Sequence, residues 1–356
     1  MTTAEIAFLE QCVRIPSPSY NEAEVATFLV DYMQQHGLEA FCDEAGNAIG
    51  TVGDTGPLIV LLGHIDTVPG NIPVRIEQGR LYGRGSVDAK GPFAAFVCAT
   101  IRALQRGTLR CRVVLVGAVE EEVASSKGAH YAVGCYRPDG CIIGEPSGWN
   151  RITLGYKGRL LTHYQRTQPA AHSAGALRAA PEHLVDFWLA VQQHCARHNE
   201  GRERVFDQLT PSLRSITSRS DGLSDEVEAT IGLRLPEGIA PHDLAKTLQT
   251  FGDDATTLTF TGGCPAFRSP RTTPLATAFV RAIRSNGGKP GFLHKTGTSD
   301  MNVSGPAWGC SIVTYGPGDS RLDHTPDEHL VLEEYTNAIT VLTRVLEDIP
   351  ETRLDR

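Results

Sequence analysis

One recurrence restricts this chain more than any other feature: short apolar runs end, one after another, on turns that carry ionisable side chains. Residues 58–62 are continuously apolar and lead straight into Gly63-His64-Ile65-Asp66. Residues 113–119 lead into Glu120-Glu121-Glu122, and Cys141-Ile142-Ile143 leads into Gly144-Glu145. Runs of this length without polar alternation read as strands buried on both faces, the kind found at the centre of a helix-covered sheet. Between them lie segments of helical period. Val25, Phe28, Leu29, Tyr32 and Met33 share one face of a helix predicted to start at an Asn21 cap and stop at Gly37. Phe93, Phe96, Val97, Thr100, Ile101 and Leu104 do the same ahead of Gly107. The alternation predicts an α/β fold, a mixed sheet flanked by helices. Open α/β sheets form their crevices just past the carboxyl ends of strands, where these acids and histidines fall.

At 356 residues the chain exceeds the usual size of a single domain. From about Gly155 the texture changes to a segment with its own strands and helices, Leu184, Phe187, Trp188 and Val191 lying on one helical face. Near Pro270 the α/β pattern resumes, with a helix around 275–283, a strand around 311–315 and a last helix over 332–346. The expectation is a discontinuous catalytic domain, 1–154 and 267–356, interrupted by a smaller α+β lid or dimerisation domain, 155–266.

Composition removes several function classes. A formal net charge of −8 disfavours nucleic acid as the main partner, because phosphate binding rests on clustered Lys and Arg. The opening MTTAEIAFLE has no basic and apolar leader, and nowhere do about 18 apolar residues run together, so the expected location is the cytoplasm. Nine dispersed cysteines without a CxxC pair suggest neither a disulfide framework nor a thiolate metal site; most are expected as small buried hydrophobes. Gly83-Arg84-Gly85 has Asp88 where a dinucleotide fingerprint needs its third glycine. Neither a Walker A sequence nor a G-x-S-x-G elbow occurs.

A lone histidine in a globular chain is usually a surface or satisfied core residue, but here placement is shared. His64, Asp88, Glu122, Glu145 and His324 sit in GHIDTVPG, GRGSVDAKG, EEEVASSKG, GEPSG and DHTPDEH, each a turn rich in Gly or Pro or bordered by one. Imidazole and carboxylate without thiolate suit zinc, cobalt or manganese in a hydrolytic site. Five such ligands exceed what one catalytic zinc with an open position takes, and they suit two metals sharing a carboxylate. Asp66, two residues past His64, is placed to orient that imidazole.

These motifs resemble the M20 metallopeptidases and deacylases, over nearly the whole chain. The resemblance implies a zinc-exopeptidase-like catalytic domain in which His64 and Glu145 hold one metal, Glu122 and His324 the other, and Asp88 bridges. It also implies Glu121 as general base. Three successive glutamates stand where the family has Asp-Glu-Glu, so Glu120 as base with Glu121 as ligand stays open. His172, in AHSAG, resembles the family histidine that reaches an active site across a dimer and polarises the scissile carbonyl, although Ala176 stands at the usual proline position. Arg234 in GLRLP and Asn302 in TSDMN are candidate substrate contacts.

YGRGSVDAKGP, EEEVASSKGA and HKTGTSDMNV narrow the resemblance to hydrolases that release lysine, sometimes ornithine, from the C-terminal glutamate of a small acidic amino-group carrier protein. The net negative charge would repel such a partner at long range. Lys90, Lys127, Lys157, Arg159, Arg268, Arg271 and Lys295 are the candidates for a local basic patch that offsets it. The alternative is a deacylase of small N-acyl amino acids such as N-acetylornithine or N-succinyl-diaminopimelate.

Overall fold

A computed structural model of the chain describes residues 3–170, 172, 175 and 177–349. Ala176, the position where the H-S-x-x-P pattern fails, lies outside them. Two compact units form. One comprises Met1–Gly155, Ser269–His294 and Ser299–Arg356; the other comprises Tyr156–Arg268 and Lys295–Thr298. The short return of Lys295–Thr298 to the second unit was not foreseen, and the outer boundaries differ from the expected ones by one or two residues.

The first unit is built on a mixed sheet. Its order runs Glu39–Cys42, Ala48–Val52, Arg112–Ala118, Leu58–His64, Gly140–Gly144, Ser311–Thr314 and Arg151–Tyr156. Leu58–His64 pairs in parallel with Arg112–Ala118 and with Gly140–Gly144, so these strands end side by side. Their centres, Ile59 to Leu62, Val113 to Val116 and Cys141 to Ile143, are buried, as uninterrupted apolar runs require. Gly63 pairs with Gly117 on one side and Gly144 on the other, giving a glycine row across the strand ends. Phe93 and Phe96 of helix Lys90–Gln105 fill it. A Cβ on Gly144 would lie 2.8 Å from Phe96, and one on Gly117 would lie 2.9 Å from Ile65 and 3.0 Å from Phe93. The helix that follows Asp88 is thereby seated beside the residues just past the row: His64, Ala118 and Glu145.

The first helix of helical period begins at Ala23 rather than at an Asn21 cap, with Glu22 at the cap position and no side-chain cap bond. Asn21 instead donates its N–H to Pro18 O in a turn. Val25, Leu29 and Met33 are buried, while Phe28 and Tyr32 pack partly buried against the same core. Of the nine cysteines, Cys12, Cys98, Cys111, Cys141 and Cys195 are buried, and all nine are free thiols.

The second unit is a four-stranded antiparallel sheet in the order Thr210–Ser220, Ser224–Leu235, Gly158–Pro169, Thr256–Cys264. Helices Ala180–Asn199 and Pro241–Gln249 cover one face through Leu184, Phe187, Val191, Leu244 and Leu248 against Leu160, Tyr164, Ile231 and Leu233. Lys157 is fully buried here, its ammonium held by Val205 O, Gln208 O and Thr210 Oγ1. Lys90, in the first unit, is 3% exposed and donates to Cys12 O and Ile15 O. Both lysines therefore drop out of the candidate basic patch. Among the described residues, no helix is long and apolar enough to cross a membrane.

Candidate metal centre

His64 ends its strand with the imidazole buried. Its Nδ1 faces Asp66 O at 3.0 Å, and a backbone carbonyl can only accept, so Nδ1 carries a proton and, whenever the imidazole is neutral, Nε2 is the nitrogen with the lone pair. Nε2 faces Asp88 Oδ1 at 3.2 Å and Glu145 Oε1 at 3.7 Å. The other oxygen of Asp88 lies 3.0 Å from His324 Nε2, which also stands 3.0 Å from Glu122 Oε2. Two donor triads result, and Asp88 gives one oxygen to each. Ligands about 2.1 Å from a tetrahedral ion lie about 3.4 Å apart, so separations of 3.0–3.7 Å fit first-row divalent metals. His64, Asp88 and Glu122 can present donor atoms within 4.8 Å of one another, as can His64, Glu121 and Glu145.

The glutamate run is positioned by buried carboxylates that the sequence reading did not assign to it. Glu120 N donates to Glu22 Oε1 at 3.2 Å, Glu121 N to Asp66 Oδ1 at 3.1 Å and Glu122 N to Asp66 Oδ2 at 3.0 Å. Asp66 thus holds this loop as well as touching His64, where its carboxylate is 3.4 Å from Nδ1. The three side chains then diverge. Glu122 joins the His324 triad and Glu121 the His64–Glu145 group, while Glu120 accepts from Ser125 Oγ at 2.7 Å and meets Lys127 Nζ at 3.7 Å. This geometry favours Glu121 over Glu120 as the residue near the chemistry.

Close packing of acids and imidazoles shifts the protonation of each. Burial, reinforced by Glu145, Asp300 and Glu122 and opposed by His64, keeps the Glu121 carboxyl protonated well above the usual carboxylate range. Hydrogen bonds to Asp88 and Glu122 lift His324 to about 10. Burial works against a charged His64, yet its bonds to Asp66 and Asp88 overcome that and raise it well above its ordinary value. Asp88 is likewise disfavoured as an anion by burial, but bonds from His324 and His64 hold it well below the carboxylate range.

Two more residues emerge only in three dimensions. Glu328 is fully buried; Oε1 accepts from Val87 N at 3.0 Å and Asp88 N at 3.2 Å, and Oε2 pairs with Arg84 Nη1 at 2.7 Å. Arg84 also donates to Thr325 O, so one ion pair registers the Asp88 loop against the His324 loop. Asp300 is 2% exposed, neither carboxylate oxygen has a hydrogen-bond partner among the described residues, and burial pushes it up to about 7. The acids in GTSDMN and PDEHL carried no signal beyond their closeness to singled-out neighbours.

The remaining candidates are not members of these triads. Asn302 is buried and its Oδ1 accepts from Ser299 N at 2.9 Å, a tie within its own loop. Arg234 and His172 belong to the second unit, His172 exposed and Arg234 bonded to Thr298 Oγ1 at 3.2 Å.

With this geometry in place, comparison with known proteins gives concordant results. Residues 60–348 match the profile of Peptidase family M20/M25/M40. A LysW-lysine hydrolase of Deinococcus radiodurans is 46% identical over 344 residues, covering 95% of each chain. A putative LysW-lysine/LysW-ornithine hydrolase of Thermococcus kodakarensis is 41% identical over 345 residues, 97% of this chain and 92% of the relative. Among solved structures, an M20 family metallo-carboxypeptidase from Sulfolobus solfataricus superposes with a TM-score of 0.82 at 18% identity, covering 97% of this chain and 99% of the other. A dinuclear metal binding peptidase of the same family from Bacillus subtilis gives 0.72 at 13% identity, covering 98% of both.

Proposed function

The chain belongs to peptidase family M20/M25/M40 and is a hydrolase of amide bonds, and from that premise we propose that it releases lysine, or ornithine, from the C-terminal glutamate of a small amino-group carrier protein. One observation carries the proposal: likeness at 46% identity, over 95% of both chains, to a protein named as a LysW-lysine hydrolase.

In this reading His64 and Glu145 hold one divalent ion, His324 and Glu122 a second, and Asp88 both, with zinc as the ion and cobalt or manganese as substitutes. Bound there, such ions supply Lewis acidity to the scissile carbonyl and to the attacking water. Glu121 takes a proton from that water and delivers it to the departing amine, which asks for a pKa near neutrality. The burial and neighbouring carboxylates that raise Glu121 act in that direction. Asp66 and Glu22 hold the backbone that aims Glu121 and Glu122. His172 is the proposed donor to the oxyanion, and the reading includes the homodimer in which such a histidine serves a second copy.

The charge of the chain favours the alternative, a deacylase of small N-acyl amino acids. A net −8 opposes an acidic carrier, and burial of Lys90 and Lys157 removes two cations that could offset it. Turnover of carrier-linked lysine against N-acetyl-lysine and N-acetylornithine by the purified metal-loaded protein decides. Cleavage of the acetylated compounds alone would sink the carrier reading.

A further inference from the structure

Two stretches of the first unit, residues 13–18 and 67–74, are laced together by backbone bonds. Thr67 N donates to Ser17 O at 2.9 Å, Ser19 N to Thr67 O at 3.3 Å, and Ser17 Oγ to Ile65 O at 2.7 Å. Pro16, Pro18 and Pro69 fix φ along both stretches, so the walls they make are preformed. These walls line a cavity of about 440 Å³, within the roughly 300–1,000 Å³ usual for small-molecule sites. None of His64, Asp88, Glu121, Glu122, Glu145 and His324 lines it.

The walls are mostly proline and valine, and the charge is of one sign: Arg14, Arg84 and Lys90 line the cavity, and no acid does. Arg14 is exposed and paired with Glu10 at 2.6 Å. Lys90 is 3% exposed, and its ammonium donates to the carbonyls of Cys12 and Ile15 rather than to a carboxylate. Arg84 is the more specific sign. Its Nη1 serves Glu328 and Thr325 O, but Nε is buried and bonds nothing among the described residues. Nη2 lies 3.4 Å from where a Cβ on Gly70 would be, so glycine leaves room beside that nitrogen. Nε and Nη2 make up one edge of the guanidinium, two parallel N–H groups spaced to match the two oxygens of a carboxylate. A buried N–H without an acceptor is unfavourable, and an anionic oxygen is what this edge lacks.

We propose that this cavity binds a small organic monocarboxylate with an apolar body, its oxygens on Nε and Nη2 of Arg84 and its hydrocarbon against the proline and valine walls. The site is independent of the substrate proposed above. A free α-amino acid fits less well, because its ammonium would enter a cavity lined by three cations and no acid. Inorganic oxyanions would leave the apolar walls facing water. Since Nη1 of the same guanidinium ties the Asp88 loop to the His324 loop, the occupant sits on the group that registers the two sets of candidate metal ligands.

Calorimetric titration of the zinc-loaded and the chelator-treated protein with 4-methylpentanoate tests this. Both forms should bind it with a Kd of about 1 mM or tighter, while 4-methylpentanamide, leucine and inorganic phosphate bind at least about tenfold more weakly. Arg84→Lys keeps a cation for Glu328 but lacks the two-donor edge. Its affinity for 4-methylpentanoate should fall by about 10- to 100-fold, the usual contribution of a hydrogen bond to a charged group. If Arg84→Lys does not fold, Val68→Phe decides by the same fall, since it narrows the cavity and leaves Arg84 in place. Binding confined to the zinc-loaded form assigns the carboxylate to the ions and overturns the site. So does a Kd weaker than about 1 mM, a control compound bound as tightly as the acid, or a fall of less than about tenfold in the deciding variant.

Discussion

Asp88 Oδ2 lies 3.0 Å from His324 Nε2, while Oδ1 of the same carboxylate lies 3.2 Å from His64 Nε2. One side chain thus links a histidine from the end of an early strand with one from a loop near the end of the fold. Removing Asp88 should therefore behave unlike removing either histidine. Asp88→Ala is expected to empty both metal positions, whereas His324→Ala should lose one equivalent. Metal analysis after dialysis reads this directly, and equal stoichiometry in the two variants would show that Asp88 is not shared.

Glu121 stands with His64 and Glu145, while Glu120 is turned toward Ser125 and Lys127. Glu121→Gln should slow hydrolysis by about 10²–10⁴-fold, the usual contribution of a positioned acid and base, with metal content maintained. Glu120→Gln, at a partly exposed position, should stay within a few-fold of wild type. Reversal of these two results would restore the other register of the glutamate run.

Much of this centre was legible because the strands are uninterrupted apolar runs: their ends were visible as changes in side-chain chemistry, and the acids and histidines fell just beyond. Helix Lys90–Gln105 was legible for a related reason, its period being that of Phe93 and Phe96 seated on the Gly117–Gly63–Gly144 row. What stayed hidden were contacts that depend on backbone donors. Glu22 looked like one more polar residue ahead of a helix, yet its carboxylate accepts from Tyr20 N and Glu120 N, which is why it makes no cap and the helix starts late. Glu328 and Asp300 have no periodicity to betray them, because their roles are set by burial at loops that only the fold brings together. Lys90 and Lys157 misled for the opposite reason: charge in a sequence suggests surface, but both ammonium groups are enclosed by backbone carbonyls.

Glu328 gives a prediction that separates positioning from ligation. Its carboxylate is fully buried, paired with Arg84 and bonded to the backbone of Val87 and Asp88. Glu328→Ala leaves a nearly buried guanidinium and two N–H groups without their acceptor, and breaking such a pair from one side costs about 3–5 kcal/mol. Glu328→Gln keeps an acceptor for the two N–H groups and should cost less. Denaturant unfolding of the metal-free variants measures both. If Glu328→Ala unfolds with the wild-type midpoint, the tie between the two ligand loops has no energetic weight.

The pH dependence of stability should have opposite sign in the metal-free and metal-loaded protein. In the metal-free chain, hydrogen bonds to Asp88 and Glu122 raise His324 from its ordinary value near 6.5 to about 10. A base whose folded pKa is raised binds its proton more tightly when folded. Its contribution is therefore complete below about pH 6.5 and fades as pH climbs toward about 10. A divalent ion at the same nitrogen needs the neutral imidazole, so protons compete with it less as pH rises and its stabilisation grows across the same window. His324 is half exposed, so solvent screens the effect. Denaturant midpoints of chelator-treated and zinc-loaded protein at about pH 6.5, 8 and 9.5 should move apart. Parallel curves would mean that His324 trades no proton for a cation, and the second triad would lose its standing as a metal position.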